Sequence, residues 1–465
     1  MKIDNFSGYI NYKGEEYIFT YEDYQIQLIP ITYEKMISHR IDNTFNAIVG
    51  KTKTGFVNDT IINGICFDNS AITICIIDYP NSELNFKVRW MYIHNENNNP
   101  MKIKGINFIS QEINYFYDIK RYINDDYQTK ENKFKSLTIN VNSLERELLG
   151  NFKYKDYNIE IYGDMAFKKN YDVSNNLELW SKLSLESKDE ISDLNTIYEI
   201  VILQKNVIDI LTYRKNNTFD SIEIYTYKNE ERIIQGRFYI NNGCIKETNY
   251  KNVKQIITSS HIKNIGKLYK LINERKIYLS HLSESHKLKS TYDSSKLLGI
   301  LIAYERMINW KYSKSSMRNK EYLELLSRMK QLTIENKEKL CTGLANKNTK
   351  FKNNVDNIFK PKVPYSKYIK QAIEDYPITL SLIENIYGVH ASNKSINKIS
   401  ERINELRNNM AHGNIDIEVT DNHIKDIHFM EILIYILILT ELGLKEEEIA
   451  SKIVTLFNIK NFLII

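Results

Sequence analysis

The spacing of apolar residues changes once along this chain, and that change constrains the fold more than any other feature. Up to about residue 260, short apolar runs alternate with polar residues and are separated by turn-forming residues. From about His261 onward, apolar residues recur every three or four positions. Alternation is typical of half-buried strands, whereas the three-to-four spacing is typical of amphipathic helices. We therefore expect an α+β protein with a β-rich, antiparallel, sandwich-like N-terminal region and an all-α bundle after it.

The first β-rich stretch begins with a hairpin. Residues 9–12 and 16–21 flank Lys13-Gly14, a pair suited to a tight turn. A short helix is predicted over 111–123 at the end of this stretch. The remaining strands are predicted at 25–29, 60–67, 72–77, 86–94 and 102–108.

A second β-rich stretch follows, and a helix predicted over 192–213 interrupts it. Its strands are predicted at 136–141, 157–162, 177–185, 222–227 and 233–240. The pattern leaves open whether this stretch is a second sandwich or the other half of a larger one. We divide the chain into residues 1–125, 126–260 and 261–465, the last being the helical domain.

The helical domain contains several separate periodic segments. In the segment 395–410, the residues Ile396, Ile399, Ile403, Leu406 and Met410 form one apolar stripe. Segment 421–442 is apolar nearly all round in its C-terminal half, which predicts burial. Residues 347–364 are polar and predict a loop. The other helices are predicted at 262–273, 294–311, 320–345, 365–376 and 379–387.

Composition excludes several classes of protein. The formal net charge of +5 over 465 residues permits nucleic-acid binding without arguing for it. No two of the four cysteines form a Cys-x-x-Cys pair, so neither a disulfide framework nor a metal site is expected, and no cofactor is predicted. Cys66 and Cys75 lie in alternating runs and are expected to be buried thiols. The N-terminus has no signal-peptide core and the longest apolar run, 432–439, is too short for a bilayer, so we expect a cytoplasmic protein without a membrane partner.

One short motif carries candidate chemistry. Arg407-Asn408-Asn409-Met410-Ala411-His412-Gly413 closes the helix that bears the apolar stripe, and Gly413 is a helix stop signal. A guanidinium can grip a phosphate through two parallel hydrogen bonds, and an imidazole can transfer protons near neutral pH. Arg407, Asn408 and His412 are therefore candidates for breaking a phosphodiester bond without a metal ion.

The spacing of an Arg and a following His is weak by itself, since roughly one match is expected by chance. The chain contains it three times, at Arg89 and His94, at Arg275 and His281, and at Arg407 and His412. The first pair lies in a predicted strand and should point to opposite faces. In the third, five helical steps leave the side chains about 140° apart, so they converge only if the helix ends or bends between them.

Arg407-Asn408-x-x-x-His412 resembles the Arg-polar-x(3)-His signature of the HEPN superfamily of ribonucleases, over about residues 294–457. Members are helical bundles that usually dimerise, with the two signatures meeting at the interface. The long β-rich region before this domain makes the chain similar to the ApeA-type proteins of bacterial anti-phage defence. Segments 64–74 and 106–117 correspond loosely to their N-terminal domain.

The resemblance implies a role for each matching residue. His412 would act as general base on the ribose 2′-hydroxyl or as acid for the leaving 5′-oxygen. Arg407 would bind the scissile phosphate, and Asn408 would position the phosphate or the imidazole. Such enzymes often carry an acidic or polar residue on an earlier helix that faces the site, and Glu305 is the candidate here. The products would be a 2′,3′-cyclic phosphate and a 5′-hydroxyl.

The resemblance also implies partners and a biological role. The substrate would be host RNA, with tRNA favoured because anticodon loops are exposed single strands. The protein would act as a homodimer through its helical domain, in abortive infection, after the β-rich region senses a phage protein.

Three other interpretations stay open. His412 could merely complement the dipole of its helix, and Arg407 could pair with Glu405 or Asp416 on the surface. The helical domain could be a non-catalytic module that binds nucleotides, RNA or protein. The chain could also be the toxin component of a toxin–antitoxin pair, although its large N-terminal region argues against that.

Overall fold

The computed structural model describes residues 5–32, 37, 58–78, 84–95, 102–118, 123–130, 133–141, 146–169, 177–241, 243, 246–312, 320–337, 355, 365–411, 420–457 and 459. They fall into two compact units. The first comprises Met1–Glu274, Leu282–Lys289 and Leu442–Leu444, and the second comprises Arg275–His281, Ser290–Glu441 and Lys445–Ile465. The mixed α and β character, with the strands before the main group of helices, agrees with the sequence prediction.

The first unit contains the strands and four helices of the described chain. The helices are α1 (Gln111–Phe116), α2 (Leu194–Thr212), α3 (Tyr250–Val253) and α4 (Gly266–Asn273). The strands are β1 (Phe6–Tyr12), β2 (Glu15–Glu22), β3 (Gln25–Pro30), β4 (Asn58–Cys66), β5 (Ser70–Asp78), β6 (Asn85–Asn95), β7 (Ile103–Ile109), β8 (Ile123–Lys130), β9 (Lys133–Val141), β10 (Glu147–Tyr154), β11 (Tyr157–Lys169), β12 (Leu177–Ile191), β13 (Ser221–Lys228) and β14 (Glu231–Ile240).

Twelve of these strands form one continuous antiparallel sheet in the order β10-β11-β12-β7-β13-β14-β6-β3-β2-β1-β4-β5. β5 also pairs with β6, which closes β1 to β6 into a barrel. β8 and β9 form a separate hairpin. The predicted sandwich is therefore replaced by a closed barrel joined edge to edge to an open sheet. The reason is that β6 pairs along one edge with β5 and along the other with β3 and then β14.

The barrel is filled by apolar side chains. The tight turn predicted between β1 and β2 is confirmed, because Lys13 and Gly14 have φ angles of 54° and 82°. Cys66 and Cys75 are buried free thiols, as predicted, and burial raises the pKa of Cys75 to about 11. The core residues are Ile10, Tyr12, Tyr17, Phe19, Tyr21, Ile26, Leu28, Ile62, Cys66, Ile72, Ile74, Ile76, Phe86, Val88 and Met91.

The open sheet has one apolar and one polar face. Register aligns Leu185 with Ile106 and Ile224 on the apolar side. On the other side the Glu186 carboxylate accepts hydrogen bonds from Arg146 at 2.8 Å, from Tyr225 at 3.0 Å and from Tyr227 at 2.9 Å. Helices α1, α2 and α4 pack on β7, β10 and β12. Alternation along each strand thus separates a helix-covered face from a face of hydrogen-bonded charges.

The structure differs from the predictions in several local features. The helix predicted over 111–123 ends at Phe116, and β8 already begins at Ile123. β8 and β10 were not predicted; β10 carries Gly150 at a bulge with φ +154°, which interrupts the alternation. The helix predicted over 320–345 is described as far as Glu335, and residues 338–345 lie outside the described residues. The loop predicted over 347–364 lies outside them as well, apart from residue 355, which is helical.

The second unit is helical. Its described helices are α5 (Ser294–Lys311), α6 (Lys320–Glu335), α7 (Tyr365–Asp375), α8 (Ile378–Tyr387), α9 (Asn393–Ala411), α10 (Asp421–Glu441) and α11 (Glu446–Phe457). α5 has the predicted bounds, and its N-terminus is capped by Asp293, whose carboxylate accepts from Lys296 N at 2.7 Å. α10 is buried from Ile432 to Leu439, as its sequence predicted. Ion pairs join Lys296 to Glu431 and Lys311 to Glu441, so α5 and α10 run in the same direction.

Candidate active site

Helix α9 supplies the candidate residues, and its apolar stripe sets its rotation. Ile396, Ile399, Ile403 and Leu406 are all buried, which confirms the predicted stripe, and Met410 is half-buried. Arg407 and Asn408 follow the last buried position and are half-buried. The stripe therefore leaves these two side chains at the border of the helix's packed face.

Arg407 meets Glu305 of α5. The Arg407 Nη2 atom donates to Glu305 Oε1 at 2.9 Å and to Oε2 at 3.0 Å, and Nε donates to Oε2 at 3.3 Å. Nη1 donates to Asn408 Oδ1 at 3.1 Å. The Arg407 side chain is 31% exposed and that of Glu305 is 35% exposed. The structure thus brings together three of the four candidate residues on two helices that are about 100 positions apart in sequence.

This contact bears on the alternatives for Arg407. Arg407 pairs with Glu305, and among the described residues no ion pair joins Arg407 to the neighbouring Glu405. Asp416 lies outside the described residues, as do His412 and Gly413. Helix α9 is continuous from Arg407 to Ala411, so the helix end that the sequence predicted does not fall between Arg407 and Ala411. The position of the His412 imidazole relative to the Arg407 guanidinium stays a prediction.

A second arginine of α9, which the sequence analysis did not single out, ties this helix to α10. Arg402 Nε and Nη2 each lie 2.5 Å from an oxygen of Asp426, a two-pronged ion pair. The Tyr387 hydroxyl donates to the same carboxylate at 2.7 Å, and Asp426 is fully buried. Burial, together with the charge of Asp426, raises the pKa of Tyr387 above its usual range. This pair holds α9 in place five residues before Arg407.

A buried polar cluster joins α5 to α10. The Tyr292 hydroxyl lies 2.8 Å from His428 Nδ1 and 2.9 Å from Glu431 Oε2. The Lys296 ammonium lies 3.3 Å from Glu431 Oε1, in a geometry that makes an ion pair but not a hydrogen bond. Both Glu431 and Lys296 are buried. We call these four residues the buried cluster.

Burial shifts the pKa values in this cluster. It raises the pKa of Glu431 well above its usual value and lowers the pKa of Lys296 to about 8. It lowers the pKa of His428 to about 4, and the charge of Lys296 adds to that shift. The sequence analysis did not single out Glu431. The signal was present, because a glutamate inside an apolar helix must find a partner.

The other Arg and His matches form no comparable site. Arg89 pairs with Asp59 at 2.6 Å, while the His94 ring stacks on Tyr92 with centroids 4.9 Å apart. His281 is buried, with Nδ1 2.5 Å from the Tyr278 carbonyl oxygen.

Within the described ranges, no three His, Cys, Asp or Glu side chains gather in a way that could hold a metal ion. In the same part of the chain, no helix has both the length and the apolarity that crossing a bilayer requires.

Comparison with known proteins gives no match to a protein-family model, a curated protein or a solved structure.

Proposed function

We propose that this protein is a metal-independent endoribonuclease of the HEPN type. The observation that carries the proposal is the half-exposed Arg407 guanidinium at the end of α9, held by Glu305 and Asn408 five residues before a histidine. A guanidinium in a fixed plane suits the two-pronged recognition of a phosphate. The second unit, in this proposal, is a HEPN bundle.

The proposed reaction uses the ribose itself as nucleophile. One imidazole, that of His412 or of its counterpart in a second subunit, removes the proton of the 2′-hydroxyl. The 2′-oxygen attacks phosphorus, the bond to the 5′-oxygen breaks, and that oxygen receives a proton from an acid. Arg407 binds the phosphate oxygens and stabilises their added charge. The products carry a 2′,3′-cyclic phosphate and a 5′-hydroxyl.

Glu305 acts as a positioning residue in this scheme. Its carboxylate contacts the Nε and Nη2 edge of Arg407 and so fixes the plane of the guanidinium. Asn408, which accepts from Nη1, restrains the same group from the other side. Preorganisation of this kind avoids the cost of ordering a long side chain when the phosphate binds.

The proposed biological role is abortive infection. Cleavage of host RNA, with tRNA as the favoured target, would stop growth after the β-rich unit senses a phage protein. The enzyme would act as a homodimer through its helical unit. Growth arrest on infection, compared between cells that express the native chain and cells that express His412→Ala, tests the role. Light scattering of the purified protein tests the dimer.

A non-catalytic module is the second candidate, and one observation favours it. Glu305 neutralises the charge of Arg407, as it would in an ordinary ion pair that joins two helices. In that case α5 and α9 would be tied together, and Arg407 would bind no phosphate.

One experiment separates the two. The native protein, His412→Ala and Arg407→Gln are each incubated with total bacterial RNA in EDTA, with and without phage lysate, and the fragment ends are mapped. His390→Ala and Arg328→Gln are the matched controls, since His390 is 88% exposed and Arg328 is an exposed residue of α6. The proposal predicts fragments with cyclic-phosphate ends for the native protein and for both control variants, and no cleavage by His412→Ala or Arg407→Gln. Equal cleavage by all variants would exclude these residues, and no cleavage under either condition would favour the non-catalytic module.

A further inference from the structure

A cavity lies in the first unit, between the hairpin β10–β11 and helix α4, with Lys188 of β12 also in its lining. Its volume is about 530 Å³, which is within the usual range of small-molecule sites. All of its lining residues belong to the first unit, so the cavity is separate from Arg407.

Two glycines let the backbone segments that border the cavity pack directly on each other. A Cβ atom at Gly266 would lie 1.9 Å from the Asn151 carbonyl oxygen. One at Gly150, where φ is +154°, would lie 2.3 Å from Asn264 Oδ1. Asn264 Oδ1 accepts from Gly266 N at 2.9 Å, and Ile265 N donates to the Leu149 carbonyl oxygen at 3.1 Å. On this side of the cavity, the backbone at the start of α4 therefore packs directly against the backbone at the bulge of β10.

The charge of the lining favours an anionic occupant. Four lysines and two glutamates line the cavity, for a formal net charge of +2. Lys188 pairs with Glu160 at 3.4 Å, and Lys270 approaches Glu274 at 3.9 Å. Among the described residues, no contact is found for the ammonium groups of Lys153 and Lys267. Two lysines with no internal counter-charge therefore face one concave surface.

The rest of the lining offers hydrogen bonds to a heterocycle. The carboxamides of Asn151, Asn158 and Asn273 provide both donors and acceptors, as the edge of a nucleobase requires. The Phe152 and Ile159 side chains are buried on the opposite face of β10 and β11 from Lys153 and Asn158, so the cavity surface is polar.

We propose that this cavity binds a nucleotide, with the phosphate on Lys153 and Lys267 and the base hydrogen-bonded by the carboxamides of Asn151, Asn158 and Asn273. The nucleotide is either free or one unit of a single-stranded nucleic acid, since both present the same phosphate and base. This site goes beyond the proposed ribonuclease activity and does not depend on it.

Binding is measured by isothermal titration calorimetry on the full chain, with pyrophosphate, AMP, adenosine and a five-nucleotide oligoribonucleotide as probes. His412→Ala is the background, so that the oligonucleotide is not cut. Lys153→Gln/Lys267→Gln is compared with Lys228→Gln/Lys251→Gln, a pair of lysines outside the cavity. The loss of a phosphate contact weakens binding and makes it less dependent on salt concentration. Lys153→Gln/Lys267→Gln is therefore expected to reduce affinity at least tenfold, and the control pair less than twofold.

The probes distinguish the sources. AMP binding supports a free nucleotide, and oligonucleotide binding without AMP binding supports a strand; either must be sensitive to the lysine pair. Binding of no probe, or equal affinity in both double variants, overturns the proposal. The RNA cleavage assay, made with Lys153→Gln/Lys267→Gln in the native chain and without His412→Ala, reports separately on the proposed function, because neither lysine substitution touches Arg407 or His412.

Discussion

The Glu305 carboxylate holds the Nε and Nη2 edge of the Arg407 guanidinium, at nitrogen–oxygen distances of 2.9 to 3.3 Å. The pair joins α5 to α9 in the second unit. Both side chains are about one-third exposed, so the pair adds little to stability, on the order of 0.5 kcal/mol. Any larger effect of removing it should therefore appear in function.

Glu305→Gln is expected to lower RNA cleavage about tenfold, because an amide holds the guanidinium less firmly than a carboxylate. The measurement is the single-turnover cleavage rate, with the urea midpoint recorded beside it. Glu324→Gln, an exposed residue of α6, is the control and should leave the rate unchanged. An increased rate in Glu305→Gln would instead mean that the carboxylate competes with the phosphate for Arg407.

Lys296→Met should destabilise the protein by on the order of 1 kcal/mol, because it removes the partner of Glu431, a buried carboxyl group whose raised pKa lets it become neutral when it is unpaired. The double variant Lys296→Met/Glu431→Leu should recover at least half of that loss. Urea unfolding of the wild type, both single variants and the double variant measures the coupling. Additive effects would show that the two charges do not interact.

Stability should fall with acidification because of His428. Its pKa in the folded state is about 4, below the ordinary value of 6.5, so its contribution is present above pH 6.5 and is lost as pH falls toward 4. Glu431, whose pKa is raised, works in the opposite direction, since its contribution is lost as pH rises above 4.5. The pH-dependent contributions of His428 and Glu431 to stability must therefore be distinguished by substitution.

The stability difference between the wild type and His428→Gln isolates the histidine. It should shrink by on the order of 1 kcal/mol between pH 7 and pH 5, after allowance for the exposed part of the ring. Urea unfolding at half-unit pH steps measures it. A difference that is constant over this range would show that His428 titrates normally in the folded protein.

Gly266→Ala should destabilise the first unit by about 3 kcal/mol or more, because its Cβ would meet the Asn151 carbonyl oxygen. Gly388→Ala is the comparison: φ there is +68° and the space is open, so only backbone strain of about 1 kcal/mol is expected. Thermal unfolding followed by circular dichroism distinguishes the two. Similar losses would mean that α4 and β10 can move apart without cost.

Much of the local structure follows from the sequence. The hairpin at Lys13-Gly14 was predictable because a glycine suited to a tight turn lies between two alternating runs, and the structure gives both turn residues a positive φ. The bounds of α5 were predictable because Asp293 caps its start. The closure of the barrel was not, because it depends on which edges of β6 meet β3, β5 and β14, and no local pattern encodes that pairing.

The candidate site divides in the same way. Arg407 and Asn408 were found through a motif, and Glu305 through the resemblance that accompanied it. Arg402 and Asp426 were missed because their spacing matches no motif, although they form the two-pronged contact that anchors α9. Lys296 and Glu431 were missed because each lies on a helix whose partner is about 135 residues away.

β6 is shared by the closed barrel and the open sheet. Its residues 87–95 pair with β5, while 90–94 also pair with β14. Since side chains alternate along a strand, a slip of β6 by one residue would exchange inward and outward side chains in both bodies. A molecule that binds the barrel and displaces β6 would therefore also move β14, the strand of the open sheet that pairs with β6, without touching it.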